Sequence, residues 1–72
     1  MKEKQLKAIK HAKNGNAEYL KSNYNLAISS YTKAIALSQN NNSFLVALLT
    51  NRAIANLRLH VKLLNLIIFV EI

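Results

Sequence analysis

The chain of 72 residues has no cysteine, no proline and no aspartate, and it contains a single glycine. The absence of cysteine excludes disulfides, zinc-thiolate sites and thiol nucleophiles. Tight hairpin turns depend on glycine and proline, so their scarcity argues against β-hairpins. Because 51% of the residues are hydrophobic and almost nothing in the chain breaks a helix, we predict an all-α protein with one domain over 1–72.

The residues that catalysis or metal binding would require are also scarce. A phosphate-binding loop needs several glycines, and Gly15 is the only one. The three glutamates and the two histidines are scattered along the chain. Because aspartate is absent as well, the chain lacks the set of residues that a metal site or a Ser-His-Asp arrangement requires. We therefore predict that the protein is not an enzyme and that it binds no metal and no cofactor.

Positive charge is in excess, with ten Lys and Arg against three Glu and a net charge of +7. Lys4, Lys7, Lys10 and Lys13 recur every three residues and form a basic stripe on a helix. The stripe is either a solvated outer face or a surface that attracts acidic peptides, nucleic acid or anionic lipid. Aromatic residues make up only 7% and do not alternate with the lysines, so we do not expect nucleic acid as the partner.

An internal repeat with a spacing of 38 residues runs through most of the chain. The matched pairs include Gly15 with Ala53, Leu26 with Leu64, and Tyr31 with Phe69. Within the first copy, Ala27, Tyr31 and Ala34 fall on one face of a helix. The two small residues allow another helix to approach closely, and the ring fills the space beside them.

The first copy of this repeat resembles a tetratricopeptide repeat. The resemblance rests on Gly15, on Ala27 followed four residues later by Tyr31, and on Ala34. The usual closing proline is Gln39 here, and the usual period of about 34 residues is lengthened by the polar run 39–43. The resemblance implies antiparallel helix-turn-helix units, with one repeat at about 8–41 and a partial, divergent repeat at about 46–72. Such a fragment of an α-solenoid has three to four helices.

The helix boundaries follow from the apolar periodicity and from the polar residues between helices. Ser22 or Asn23 is expected to cap the second helix, and Asn42 or Ser43 the third. We predict three helices, roughly Glu3 to Lys21, Tyr24 to Ser38, and Phe44 to Leu59.

The last segment, 61–72, is almost entirely apolar and has several interpretations. By the repeat it should form a fourth helix, although its β-branched and aromatic residues would equally suit a buried strand. It is either a divergent or truncated repeat helix, an aggregation-prone end, or a surface for self-association or membrane contact. Self-association fits better than membrane contact because a polar face is missing. The segment is too short to span a bilayer, which needs about 20 apolar residues.

Two asparagines extend the resemblance to the co-chaperone subgroup of tetratricopeptide proteins. In that subgroup, two asparagines and three basic residues clamp the C-terminal carboxylate of the seventy- and ninety-kilodalton heat-shock chaperones. An Asn amide donates hydrogen bonds to a carboxylate, and Lys or Arg adds charge-assisted contacts. The first clamp lysine is Ala12 here, and the third repeat with the last two basic residues is missing. The predicted peptide-binding residues are Asn16, Asn51, Arg58, Lys13 and Tyr19.

Two functions therefore remain open. One is a protein-interaction module of the tetratricopeptide type that binds an acidic C-terminal peptide of a heat-shock chaperone. The other is a basic structural protein that associates with itself through 61–72 and binds an anionic surface of nucleic acid or lipid. The N-terminus lacks the apolar core of a secretory signal, so we predict a cytoplasmic protein.

Overall fold

The computed structural model describes the backbone of residues 3–38 and 42–71 and the side chains of 3–38 and 43–66. Three helices make up this part of the chain: α1 (Glu3–Leu20), α2 (Tyr24–Leu37) and α3 (Asn42–Glu71). No strand occurs among the described residues. The predicted all-α fold is confirmed, and α3 begins two residues earlier than the sequence suggested.

The connection from α1 to α2 takes only three residues. Ser22 adopts a left-handed conformation with φ of 64°, and the N–H groups of Ser22 and Asn23 donate to the carbonyls of Tyr19 and Glu18 at 2.9 Å. This is the Schellman ending of a helix, in which two otherwise unpaired carbonyls are satisfied. Asn23 Nδ2 donates to Glu18 Oε2 at 2.9 Å and makes no cap hydrogen bond to α2. The predicted side-chain cap at Asn23 is therefore wrong, and Ser22 terminates α1 instead.

The core is built around α2, which packs against both α1 and α3. Ala27, Tyr31 and Ala34 are all buried, as their spacing predicted. Leu48 and Ala55 of α3 complete the same cluster, seven residues apart on one helix face. The small side chains of α2 bring the neighbouring helices close, so that one large ring, Tyr31, fills much of the interior.

Residues 61–71 continue α3 and do not form a fourth helix. The helix has 30 residues from Asn42 to Glu71, which corresponds to about 45 Å at 1.5 Å per residue. A fold-back would need a turn near His60, and no glycine or proline lies in this part of the chain to provide one. The prediction of a separate helix after Val61 is wrong, as is the alternative of a buried strand.

The spacing of 38 does not relate structurally equivalent positions. Gly15 is buried inside α1, whereas its match Ala53 is exposed on α3. The missing turn after residue 59 leaves the second copy without a helix that corresponds to α2. Among the residues that the structure describes, no helix combines the length and the apolarity needed to cross a membrane.

Candidate functional site

A small cleft lies between α1 and α3, with α2 as its floor. It has a volume of about 160 Å³ and is lined by Asn16, Tyr19, Tyr31, Asn51 and Ile54. Each outer helix contributes two residues three positions apart, which lie one above the other on the same face. The cleft is smaller than the roughly 300 to 1,000 Å³ of pockets for drug-sized ligands. It has room for one group of a peptide, such as a terminal carboxylate.

A hydrogen bond between α2 and α1 orients one amide of this cleft. The Tyr31 hydroxyl donates to Asn16 Oδ1 at 2.6 Å. Because the carbonyl end of the amide is held by Tyr31, the NH₂ group faces away from that hydroxyl and keeps both of its donors. No hydrogen bond from Asn16 Nδ2 to the described residues is present. Asn16, which lines the cleft, therefore keeps an oriented amide with unused donors.

The second amide comes from α3. Asn51 is half-buried and, within the described part of the chain, has no side-chain hydrogen bond. Tyr19 supplies an aromatic wall, and its ring is itself held edge-on against Tyr24, with 5.5 Å between the ring centroids. Three of the predicted peptide-binding residues, Asn16, Tyr19 and Asn51, thus line one cleft.

The two predicted cations lie outside the cleft. Lys13 is exposed one turn before Asn16 and does not line it. Arg58 is seven residues, or two helical turns, beyond Asn51. It lines a separate cavity of about 520 Å³ together with Lys62. The structure therefore brings the two amides together but keeps the charges at a distance from them.

Two other residues near the predicted clamp positions face α2 instead of the cleft. Ala12, where the pattern has a lysine, packs against the core. Arg52 follows Asn51 directly, but its Nη1 donates to Thr32 Oγ1 of α2 at 3.3 Å. Arg52 therefore joins α3 to α2, and a ligand in the cleft would meet amides and a phenol before any cation.

The cleft is electrically neutral and partly shielded from water. Burial raises the pKa of the Tyr31 hydroxyl above its ordinary value of 10.0, and the nearby Tyr19 phenol adds to the shift. Tyr31 is therefore protonated at neutral pH and can donate to Asn16. Donors in such a site hold an anion more strongly than the same groups do in water. Among the described side chains, no cluster of three His, Cys, Asp or Glu could hold a metal ion.

Sequence reasoning missed two residues of the cleft. The sequence predicts only a packing role for Tyr31 and gives no role to Ile54. The signal for Ile54 was its position three residues after Asn51, which puts both on one helix face. For Tyr31 no local signal existed, because its partner Asn16 lies fifteen residues away on another helix.

Comparison of the chain with models of protein families, with characterised proteins and with solved structures gave no significant match.

Proposed function

We propose that this protein is a protein-interaction module of the tetratricopeptide type and that its cleft binds the terminal carboxylate of an acidic peptide. The observation that carries the proposal is the hydrogen bond from Tyr31 to Asn16, which holds the amide oxygen and leaves both amide N–H groups without a partner among the described residues. Asn51 lies on the facing helix with its own amide unused among the described residues. Two amides that converge on one small space suit the two oxygens of a carboxylate.

The charge of the chain supports an acidic partner. The net charge is +7. Lys13 and Arg58 lie on the two helices that flank the cleft, one turn before Asn16 and two turns beyond Asn51. Charges at this range raise the rate of association with an acidic peptide more than they fix its position. The amides would then hold the terminus, while acidic side chains further along the peptide meet the cations. The resemblance to the co-chaperone subgroup implies that the partner is the C-terminal tail of a heat-shock chaperone. A cytoplasmic location accords with such a partner.

The direct test uses titration calorimetry to compare the affinity for an acidic peptide with a free C-terminal carboxylate and for the same peptide with an amidated C-terminus. The loss of a hydrogen bond to a charged group costs about 1.5 to 3 kcal/mol, so Asn16→Ala and Asn51→Ala should each weaken binding roughly ten- to hundredfold. Asn56→Ala is the matched control, because Asn56 is exposed on α3 and does not line the cleft. Equal affinity for the free and amidated peptides would refute the proposal.

The basic stripe supports a second candidate function, binding to an anionic surface of nucleic acid or lipid. Lys4, Lys7, Lys10 and Lys13 are all exposed on α1, and none of them forms an ion pair with a described residue. Replacing Lys4 and Lys7 should weaken peptide binding through the cleft only slightly, and mainly at low salt. If these replacements reduce binding more than the asparagine replacements do, the basic surface is the binding site.

A further inference from the structure

The outer face of α3, opposite α2, carries a long apolar stripe that no other part of the described chain covers. Its large side chains are three or four residues apart on either side of the small Ala53, which lies midway between Leu49 and Leu57. Their exposed fractions are 60% for Val46, 41% for Leu49, 63% for Leu57, 46% for Val61 and 56% for Leu64. Leu48 and Ala55, on the opposite face, are buried against α2. Such a stripe is larger than the isolated exposed apolar residues found on most monomers.

We propose that this stripe is the interface of an antiparallel homodimer, in which α3 of one copy packs against α3 of a second copy. A two-fold interface requires that a surface be complementary to itself. The stripe meets this condition, because its positions are symmetric about the level of residue 55. In an antiparallel pair around that level, Val46 meets Leu64 of the second copy, Leu49 meets Val61, and Ala53 meets Leu57.

The sizes of the paired side chains favour this arrangement over a parallel one. At the centre, the small Ala53 faces the large Leu57, so the two helices can approach without leaving a void. A parallel pair would place each residue against its own copy. Leu57 would then meet Leu57 while Ala53 met Ala53, which leaves a gap beside a crowded contact. The opposed helix dipoles of an antiparallel pair also attract each other.

The cations of α3 border the stripe on the side of the helix that faces α2. Arg52 donates to Thr32 of α2. Arg58 and Lys62 line a cavity that also includes Tyr24 of α2 and Val61, which lies at the edge of the stripe. The lysine stripe is on α1, which packs on α2. Arg58 and Lys62 therefore lie beside one end of the apolar stripe, and their repulsion in the dimer should weaken as the salt concentration rises.

The area of the stripe is sufficient for a dimer, though only at the low end. Its five large side chains, together with Thr50, Ala53 and His60 between them, expose on the order of 500 Å². Two copies would bury on the order of 1,000 Å², which is about the lower limit for a specific interface. The association should therefore be reversible and depend on protein concentration. The interface contains none of the residues that line the cleft, so dimerisation can be tested independently of peptide binding.

Sedimentation equilibrium tests the interface through a charge placed at its centre. We expect a monomer-dimer equilibrium for the unaltered chain, and a monomer at all concentrations for Leu57→Glu. Leu20→Glu is the matched control, because Leu20 is 83% exposed on α1, and this variant should dimerise like the unaltered chain. A monomeric unaltered chain, a species larger than a dimer, or equal effects of the two variants would overturn the proposal.

Disulfide trapping tests the register and remains informative if Leu57→Glu does not fold. The chain has no cysteine of its own, so Val46→Cys and Leu64→Cys each introduce a single thiol. In the antiparallel pair, each thiol lies about 27 Å along the helix axis from the identical thiol of the second copy. It lies level with the other of the two substituted positions in that copy. Oxidation should therefore link the two variants when they are mixed and should link neither efficiently alone. Efficient linking of Val46→Cys to itself would indicate a parallel pair and refute the antiparallel register.

Discussion

Tyr31 and Asn16 are joined by a hydrogen bond of 2.6 Å that connects the floor of the cleft to its wall. Tyr31 is 2% exposed, so the same side chain fills the core and orients an amide at the surface. Packing and candidate function are therefore coupled in one residue. A change at Tyr31 should be visible both in the free energy of unfolding and in the affinity for a peptide.

Tyr31→Phe should separate these two roles. The ring remains in place, but the loss of the hydroxyl removes one hydrogen bond, and the free energy of unfolding should fall by about 1 kcal/mol. Without its partner, the Asn16 amide can rotate, so the affinity for a peptide with a free carboxylate should fall severalfold. Tyr24→Phe is the control and should leave both quantities nearly unchanged. Unaltered peptide affinity in Tyr31→Phe would show that the hydroxyl does not orient the cleft.

Gly15→Ala should destabilise the protein, although alanine is the better helix former. A Cβ at Gly15 would lie 2.6 Å from Cε1 and 2.7 Å from Cδ1 of Tyr31, and the ring is buried, so it has little room to move. Overpacking of this kind costs about 1 to 3 kcal/mol, which exceeds the gain in helix propensity of about 1 kcal/mol. A thermal melt should therefore show a lower Tm.

The control for this substitution is Asn14→Ala. Asn14 is the exposed neighbour of Gly15 on α1, so its replacement gains helix propensity without a new contact and should raise Tm slightly. If Gly15→Ala raised Tm as Asn14→Ala does, the close approach of the ring to α1 would be disproved.

Ser22→Gly should stabilise the protein. Ser22 has φ of 64°, a conformation that costs an L-residue with a side chain about 1 to 2 kcal/mol and costs glycine little. We expect a gain of about 1 kcal/mol, or roughly 4 to 8 °C in Tm for a domain of this size. Ser29→Gly, an exposed position within α2, should instead cost about 0.5 kcal/mol. Destabilisation by both substitutions would argue against the left-handed turn.

Alkaline pH should weaken the fold through Tyr31. Burial raises the pKa of its hydroxyl above the ordinary 10.0, with a smaller contribution from Tyr19. Above pH 10 the unfolded chain releases this proton while the folded chain retains it, so the free energy of unfolding falls as pH rises through the folded pKa. Below pH 10 the contribution is fully present.

Denaturant titrations at a series of pH values would measure this dependence. Tyr31→Phe should remove the part of the slope that begins near pH 10, and Tyr19→Phe should reduce it only slightly. An equal slope in the unaltered chain and in Tyr31→Phe would contradict the assignment to Tyr31.

Much of the fold was predictable from local sequence. The positions of α1 and α2 follow from the apolar periodicity and the polar residues between the helices, and the buried face of α2 follows from Ala27, Tyr31 and Ala34. The length of α3 was not predicted, because the repeat suggested a turn near His60. No glycine or proline supports that turn, and a helix continues where nothing interrupts its hydrogen bonds.

The candidate site, like the fold, was only partly predictable from the sequence. The resemblance to the co-chaperone subgroup predicted Asn16 and Asn51 as amide donors for a carboxylate, and this prediction used the sequence alone. The tertiary structure decided the rest. It places the two amides in one cleft, lets Tyr31 orient the first of them, and leaves Lys13 and Arg58 outside. The physical reason is range: helix periodicity relates residues three or four positions apart, whereas the distance between residues on different helices depends on how closely those helices pack. Here the small side chains of Gly15, Ala27 and Ala34 set that packing.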